Sequence, residues 1–193
     1  MKKIASTWTI MGAFLFGMAS CNQQGGAVEE AQEANEEIAD DTPMEDEAED
    51  ISEFMTKAAS GGMMEVELGK MAQQQAQNQQ VKDFGTMMVT DHTKANNELK
   101  ALAASKNIIL PDTMGEAHMD HVEDLRDNKG AEFDEDYMDL MVSDHKEVVE
   151  MFEEAANNLQ DAEVKAFAAK TLPVLQKHMA QARMIDSTMA AKQ

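Results

Sequence analysis

"MVTDH" at residues 88–92 returns as "MVSDH" at residues 141–145. Both copies carry a methionine, a valine, a hydroxyl residue, an aspartate and a histidine in the same order, and both lie in stretches of helix-forming composition. If the copies are helical, each histidine continues a stripe of small and apolar residues at 3- and 4-residue spacing. The repeat therefore predicts two helices that each bring a histidine to the core.

The rest of residues 51–193 has the composition of one all-α domain. It is rich in Ala, Met, Gln and Glu, and aromatic residues make up only 5% of the whole chain. Such a composition favours helices over sheet. The helical pattern breaks in the segment 107–130, and more weakly at Asn78 and before Asp161. We predict four helices, over 51–77, 78–106, 131–159 and 161–190.

The lengths of the joints predict an architecture. Short joints make antiparallel helix pairs, one on each side of the segment 107–130, which is long enough to run the length of the helices. We predict a ferritin-like four-helix bundle with this segment as one long crossover. An up-and-down bundle with a loose middle loop is one alternative, and a single bent helix over 51–106 is another. Pro173 is expected to kink the fourth helix, and the glycines at 61–62 to allow close helix approach.

Each predicted helix has one strongly polar residue near the midpoint of its apolar stripe. These residues are Glu65, His92, His145 and His178. Because the stripes must face other helices, we expect the four side chains in a single layer of the core. Asp91 and Asp144 are expected beside that layer.

Two interpretations of the polar layer remain open. Three imidazoles and a carboxylate suit a transition metal such as Zn²⁺, Cu²⁺ or iron, and Asp91 and Asp144 would then orient the imidazoles. Met88 and Met141 lie one turn before the two repeated histidines, and their thioethers would favour copper. Alternatively, the polar residues hydrogen-bond one another without any metal and specify the register of the helices.

A second histidine cluster lies in the predicted crossover. Met114, His118 and His121 are spaced at i, i+4 and i+7, so the two histidines share a face if this stretch is helical. We expect this face at the surface among acidic neighbours, where a histidine pair commonly binds nothing. The sequence contains no nucleophile motif, no glycine-rich phosphate loop and no basic aromatic patch.

Residues 1–20 have the pattern of a secretory signal. Lys2 and Lys3 precede an apolar stretch that is too short to span a bilayer, and small residues follow it. Cys21 comes next, as in the lipobox of bacterial lipoproteins, and this predicts cleavage after residue 20 and a lipid on Cys21. A plain cleaved signal is the alternative. The lipid would anchor the protein in the cell envelope, with the outer membrane preferred.

Residues 21–50 are predicted to be a disordered acidic tether. The stretch 27–50 carries 12 acidic side chains and no basic ones. Such a segment buries too little apolar surface to offset the entropy of ordering it. The formal net charge of the whole chain is −21, which argues against nucleic acid as a partner and against lying flat on anionic lipid.

Four stretches together resemble the domain of unknown function 4142 family. Two of them are "DYMDLMVSDHKEVVEMFEEAA" and "AFAAKTLPVLQKHMAQA", and the others are residues 54–72 and 81–111. The resemblance covers about 52–190. It implies a ferritin-like fold and a place in the envelope, where members are often described as outer-membrane proteins, and it implies no particular activity.

One departure from ferritin-like enzymes bears on chemistry. Di-iron enzymes of that fold carry a glutamate three residues before a ligating histidine on two helices. Here Val89, Val142 and Leu175 occupy those positions. The departure argues against di-iron oxidase chemistry, so we expect a metal-binding protein or a structural, stress-related envelope module, and not an enzyme.

Overall fold

The computed structural model describes residues 26–39 and 44–191. Apart from one isolated bridge between Ala76 and Gly130, all regular structure in these residues is helical, which confirms the predicted all-α class. The helices are α1 Ala27–Ala39, α2 Glu45–Gln75, α3 Gln79–Lys106, α4 Glu116–Arg126, α5 Ala131–Asn158 and α6 Ala162–Ala190.

The predicted signal sequence 1–20 and the predicted lipid on Cys21 lie outside the described residues. Among the helices that are described, no span is both long enough and apolar enough to cross a membrane.

The long helices α2, α3, α5 and α6 correspond to the four predicted ones. Asn78 separates α2 from α3, because its side chain caps α3 by accepting a hydrogen bond from the N–H of Gln80 at 3.0 Å. Asp161 caps α6 in the same way through the N–H groups of Glu163 and Val164. The alternative of one bent helix over 51–106 is therefore wrong. Pro173 lies inside α6, which continues on both sides of it, and the kink there stays a prediction.

Two acidic side chains, Asp134 and Glu47, show which ends of the helices lie together. Asp134, in the first turn of α5, accepts hydrogen bonds from the backbone N–H groups of Gln77 at 3.0 Å and Asn78 at 2.8 Å. The start of α5 therefore lies at the α2–α3 turn, and the segment 107–130 runs the length of the helices. An up-and-down order, in which α5 begins beside the end of α3, does not fit these contacts.

A similar contact joins the helices at their opposite end. Glu47, in the first turn of α2, accepts from the N–H groups of Gln160 at 2.7 Å and Asp161 at 3.2 Å, so α2 begins at the α5–α6 turn. Together the two contacts show that α3 and α5 start at the same end and run in the same direction.

This parallel course explains the sequence repeat. His92 lies 13 residues beyond Gln79, the first residue of α3 (92 − 79), and His145 lies 14 residues beyond Ala131, the first residue of α5 (145 − 131). At about 1.5 Å per residue, both histidines reach nearly the same height.

The apolar core is divided into two clusters. One contains Met64, Met88, Met141 and Ala182 among its members, and the other contains Ala58, Leu99, Val149 and Leu175. On α3, α5 and α6 the predicted polar residue lies between the segments that supply the two clusters, and on α2 Glu65 directly follows Met64, the first residue of that helix in one of them. The polar layer therefore crosses the middle of the core.

The backbones of α2 and α3 are in contact at Gly69 and Gly85, whereas of the predicted glycines 61–62 only Gly62 lies against α3, at the side chain of Asn96. A Cβ atom on Gly85 would lie 2.7 Å from the carbonyl oxygen of Gly69 and 2.7 Å from the Cβ of Ala72. The same addition at Gly61 would meet only His118 Cε1, at 3.8 Å. The two backbones are thus in direct contact at Gly69 and Gly85.

We expect Gly85→Ala to destabilise the fold by about 1–3 kcal/mol, because the added methyl group meets backbone that cannot yield. The matched control is Gly61→Ala, which should stabilise by roughly 0.5–1 kcal/mol, since alanine is the better residue inside a helix. Urea unfolding followed by circular dichroism measures both. Equal effects of the two substitutions would contradict this account of the α2–α3 contact.

Disorder throughout residues 21–50 is contradicted by α1 and by the start of α2 at Glu45. Ala31 and Ala39 on one face of α1 are buried, and so is Asn35, which is 5% exposed. The Asn35 side chain accepts from the N–H of Ile109 at 2.8 Å and donates to its carbonyl oxygen at 2.9 Å. The physical reason for the error is that a few small residues and one amide give this acidic segment a docking face, which net composition does not register.

Replacing Asn35 with alanine should release α1 from the crossover, because it removes both hydrogen bonds to the backbone of Ile109, at a cost of about 1–3 kcal/mol for the two bonds. Hydrogen–deuterium exchange should then speed up about tenfold or more in residues 27–39, with little change in α3 and α5. Glu36→Ala, at an exposed position of the same helix, is the control. Unchanged exchange in the Asn35→Ala variant would show that other contacts hold α1.

Candidate metal centre

The four predicted polar side chains meet in the middle of the core. Glu65 is 2% exposed, His92 is 5% exposed, and His145 and His178 are fully buried. The centroids of the three imidazole rings lie 5.2–5.8 Å apart. Glu65 contacts two of the rings, with Oε2 lying 2.7 Å from His92 Nδ1 and Oε1 lying 3.3 Å from His145 Nε2.

One nitrogen of each imidazole is held by an acceptor. His145 donates from Nδ1 to the carbonyl oxygen of Met141 at 3.0 Å. His178 Nε2 is bonded to Asp91 Oδ2 at 2.9 Å, and His92 Nδ1 faces the carboxylate of Glu65. These contacts orient the rings and place the N–H of each neutral imidazole on the nitrogen that is held.

The other nitrogen of each imidazole has no hydrogen-bond partner among the described residues. These atoms are His92 Nε2, His145 Nε2 and His178 Nδ1. Ligand-capable nitrogens of the three histidines lie within 4.8 Å of one another. Three buried lone pairs without a donor are costly, and a metal ion coordinated by all three would satisfy them.

The contact between Glu65 and His145 likewise brings two buried polar atoms together without a hydrogen bond between them. Apart from a hydrogen bond between the Glu65 and Asp144 carboxyl groups, which needs a proton on one of them, buried Glu65 Oε1 has no partner in the part of the chain that is described, and its 3.3 Å approach to His145 Nε2 is not a hydrogen bond in geometry. Two donor atoms of a tetrahedral zinc site with bonds of about 2.0–2.1 Å are separated by roughly 3.3 Å. The pair therefore has the spacing of neighbouring metal ligands.

The two aspartates of the repeat have different roles. Asp91 precedes His92 in the sequence but contacts His178, and its side chain is 35% exposed. Asp144 is 11% exposed and lies against Glu65 and His145, with ligand-capable atoms of these three residues within 4.8 Å of one another. Asp91 thus orients an imidazole, whereas Asp144 adds a second carboxyl group beside Glu65.

Burial dominates the protonation states. It lowers the pKa of His92 and of His178 to about 4, and that of His145 to about 3, so all three imidazoles are neutral at pH 7. Burial also raises the pKa of Glu65 to about 8, and burial together with the neighbouring Glu65 raises the pKa of Asp144 well above its usual value. Neutral imidazoles are the form that binds a metal, whereas the carboxyl groups must lose protons to do so.

Aromatic and sulfur side chains enclose the layer on one side. The Phe84 ring packs edge-on against both His178 and Tyr137. The Tyr137 hydroxyl is buried without a partner among the described residues, and its pKa is raised, first by burial and then by Glu65. Met88 and Met141 are fully buried in the same apolar cluster, and Met141 acts on His145 through its carbonyl oxygen. Helical spacing is the only sequence signal that could have pointed to Phe84 and Tyr137.

The histidine cluster of the crossover is separate from this centre. His118 lies on α4, where its Nδ1 is 2.6 Å from Ser60 Oγ, and Ser60 also accepts from the N–H of Gly115 at 2.9 Å. His121 is exposed, and Met114 packs against the apolar core. Within the described chain, these residues are not among the groups whose ligand atoms are close enough to hold a metal. Ser60 and His118 instead join α4 and the crossover to α2.

An all-helical fold with three histidines and two carboxyl groups in its core defines a class of protein, that of helical proteins with a buried histidine–carboxylate centre. The chain matches the family described as Domain of unknown function (DUF4142) over residues 33–185, and it belongs to that family. No curated protein and no solved structure matched the chain.

Without metal, the protein should lose stability between pH 6.5 and pH 8. Above pH 6.5 the unfolded chain and the fold both hold neutral histidines, but the fold keeps a proton on Glu65 up to a pKa of about 8, whereas the unfolded chain releases it near 4.5. Stability falls with pH wherever the folded state binds more protons. Below pH 6.5, the lowered histidine pKa values act in the opposite direction, so stability rises with pH there.

Thermal melts of chelator-treated protein from pH 6.5 to pH 8 measure this fall. Glu65→Gln, which keeps the size and removes the titration of this group, should reduce the fall, and what remains is the part due to the raised pKa of Asp144. Glu67→Gln changes a carboxylate that is 45% exposed on the same helix and should leave the fall unchanged. A fall of the same size in all three proteins would assign the pH dependence to other groups.

Proposed function

We propose that this protein binds one transition-metal ion through His92, His145, His178 and Glu65, and that it stores or handles that ion in the cell envelope. The observation that carries the proposal is the cluster of three buried histidines, which bring ligand-capable nitrogens within 4.8 Å of one another and each keep one nitrogen without a partner among the described residues. An acceptor on the opposite nitrogen of each ring supports it, because such contacts orient metal-binding histidines.

Zn²⁺ fits this donor set best. Three neutral nitrogens and one carboxylate oxygen are ligands that zinc accepts in proteins, and Cu²⁺ would compete through its higher intrinsic affinity. Both methionines of the repeat are buried in the neighbouring apolar cluster, but the contact that links Met141 to the site is made by its backbone. The absence of an acid three residues before each histidine disfavours a di-iron centre.

The remaining parts of the proposal concern fold family and location. Two helix pairs joined by a crossover that runs the length of the helices follow the ferritin-like connection, and we extend the proposal to that fold. The lipid predicted on Cys21 would hold the site outside the cytoplasm, at the outer membrane. A net charge of −21 would raise the local concentration of cations around it.

A second candidate function is a structural or interaction module of the envelope that binds no metal. One observation favours it, namely that a protonated Glu65 lies 3.3 Å from His145 Nε2 and would need only a small rotation to donate a hydrogen bond. That bond would still leave His92 Nε2 and His178 Nδ1 without partners among the described residues. The metal proposal satisfies all of these atoms and is the stronger one.

Metal analysis of the untagged full chain after equilibration with Zn²⁺ should give one ion per chain. His145→Gln and His178→Gln should each lower the affinity by at least a hundredfold, because each removes a ligand that is buried. Asp91→Ala should lower it by about 10–100-fold, because it removes only the acceptor that orients His178. Competition with a chromophoric chelator measures each affinity.

The matched control is His121→Gln, at an exposed histidine of the crossover, which should bind as tightly as the parent protein. Circular dichroism and thermal melts of each variant establish that it is folded, and added zinc should raise the melting temperature of the parent. Zinc bound with equal affinity by the parent and by the folded His145→Gln and His178→Gln variants would refute the proposed centre. Loss of zinc in His121→Gln would move the site to the crossover.

A further inference from the structure

A small cavity lies directly beside the metal centre. Its volume is about 30 Å³, and Glu65 and His92 line one end of it. About 10–15 Å³ is enough for one water molecule, so the cavity has room for a ligand of two or three atoms. His145 and His178 do not line it, which places the cavity on the Glu65–His92 side of the centre.

Small residues on two helices create this space. Ala58, Gly61 and Gly62 on α2 precede Glu65 by one to two turns, and Ala95 on α3 follows His92 by one turn. Larger side chains at these positions would fill the volume next to the carboxylate and the imidazole. Gly61 and Gly62 thus leave space beside the centre, and Gly62 also lets the Asn96 side chain of α3 lie close to α2.

The cavity also reaches the surface between α2 and α3. Lys57 lines it and is 53% exposed at its side chain, and the half-buried Asn96 lines it as well. Asn96 lies over Gly62, where an added Cβ would come within 2.1 Å of its Oδ1. A small molecule can therefore approach the centre past Asn96 without separation of the helices.

The charges favour an anion in this space. A divalent ion with three neutral imidazoles and the Glu65 carboxylate retains a net charge of +1 within this ligand set, which an anionic ligand would neutralise, and neither Asp91 nor Asp144 lines the cavity. Asn96 and Thr171 line it, and their amide and hydroxyl groups are hydrogen-bond donors for such a ligand, whereas the Lys57 ammonium lies at the surface and pairs with Glu53. Zinc sites of this kind can add a fifth ligand.

On the basis of the proposed function, we propose that the centre takes an exogenous anion of up to three heavy atoms as a further metal ligand, bound in the cavity beside Glu65 and His92. Hydroxide is the smallest member of this class. The centre would then be open to small reactive anions, which a purely structural metal site excludes.

Cobalt(II) and azide provide the test on the full chain. Tetrahedral Co²⁺ absorbs visible light, and its spectrum changes when a further ligand binds. We expect Co²⁺ to bind at one ion per chain, and azide at fixed ionic strength to shift the spectrum saturably, with one azide per cobalt. Benzoate, which is too large for the cavity, should leave the spectrum unchanged.

Ala95→Val should keep the cobalt stoichiometry and weaken azide binding at least tenfold, because the added methyl groups occupy the cavity. The control is Ala101→Val, the same substitution at an exposed position of α3, which should bind azide like the parent. If Ala95→Val does not fold, the comparison of azide with the larger benzoate on the parent protein still decides the test.

The outcomes distinguish failure of the anion-binding proposal from failure of the metal site itself. Bound cobalt whose spectrum does not respond to azide would overturn the open centre and leave the metal site standing. An equal response to azide and benzoate, or an equal azide affinity in a folded Ala95→Val variant, would also overturn it, because the anion would then bind outside the cavity. Failure to bind cobalt or zinc would refute the proposed function itself.

Discussion

A carboxyl group and three imidazoles buried between two apolar clusters set the strongest constraint on this structure. Polar groups in such a place must be satisfied, and side chains on four different helices have to reach one another to do it. The contact between Glu65 and two of the histidines therefore fixes how far each helix can slide. The apolar clusters supply most of the burial, but they tolerate small shifts that the polar layer does not.

The ends of the helices are arranged to meet this constraint. Asp134 and Glu47 each close the turn of the opposite helix pair, and these two contacts set the heights of α2 and α5. The direct backbone contact at Gly69 and Gly85 sets the spacing of α2 and α3. Three features thus specify one register of the helices together. They are the charged contacts at the helix ends, the glycine contact and the polar layer.

Much of this arrangement could be predicted from the sequence, because helical periodicity carries it. The 3- and 4-residue spacing located four helices to within a few residues, except at the start of α2, and it identified the polar residue on each apolar stripe. The partner of Asp91 could not be found in this way. Adjacent residues on a helix point about 100° apart, so Asp91 turns away from His92 and meets a histidine on α6 instead.

Other features depend on contacts that no local pattern records. The glycines at 61–62 and at 69 and 85 look alike in the sequence, and only the facing helix decides which pair lies in backbone contact. The docking of α1 combines the burial of Ala31 and Ala39 with hydrogen bonds from the Asn35 amide to the backbone of Ile109. The acidic composition of the segment predicts disorder because composition alone does not register such a docking surface.

The division of the ligands between the helix pairs has a mechanical consequence. Glu65 and His92 belong to the pair α2 and α3, which is locked backbone to backbone, whereas His145 and His178 belong to the pair α5 and α6. An ion at the centre would be a cross-link between two halves of the molecule. Binding of that ion would strengthen the contact between the two helix pairs, and its loss would weaken this contact. The rigidity of the outer surface would therefore change with metal occupancy.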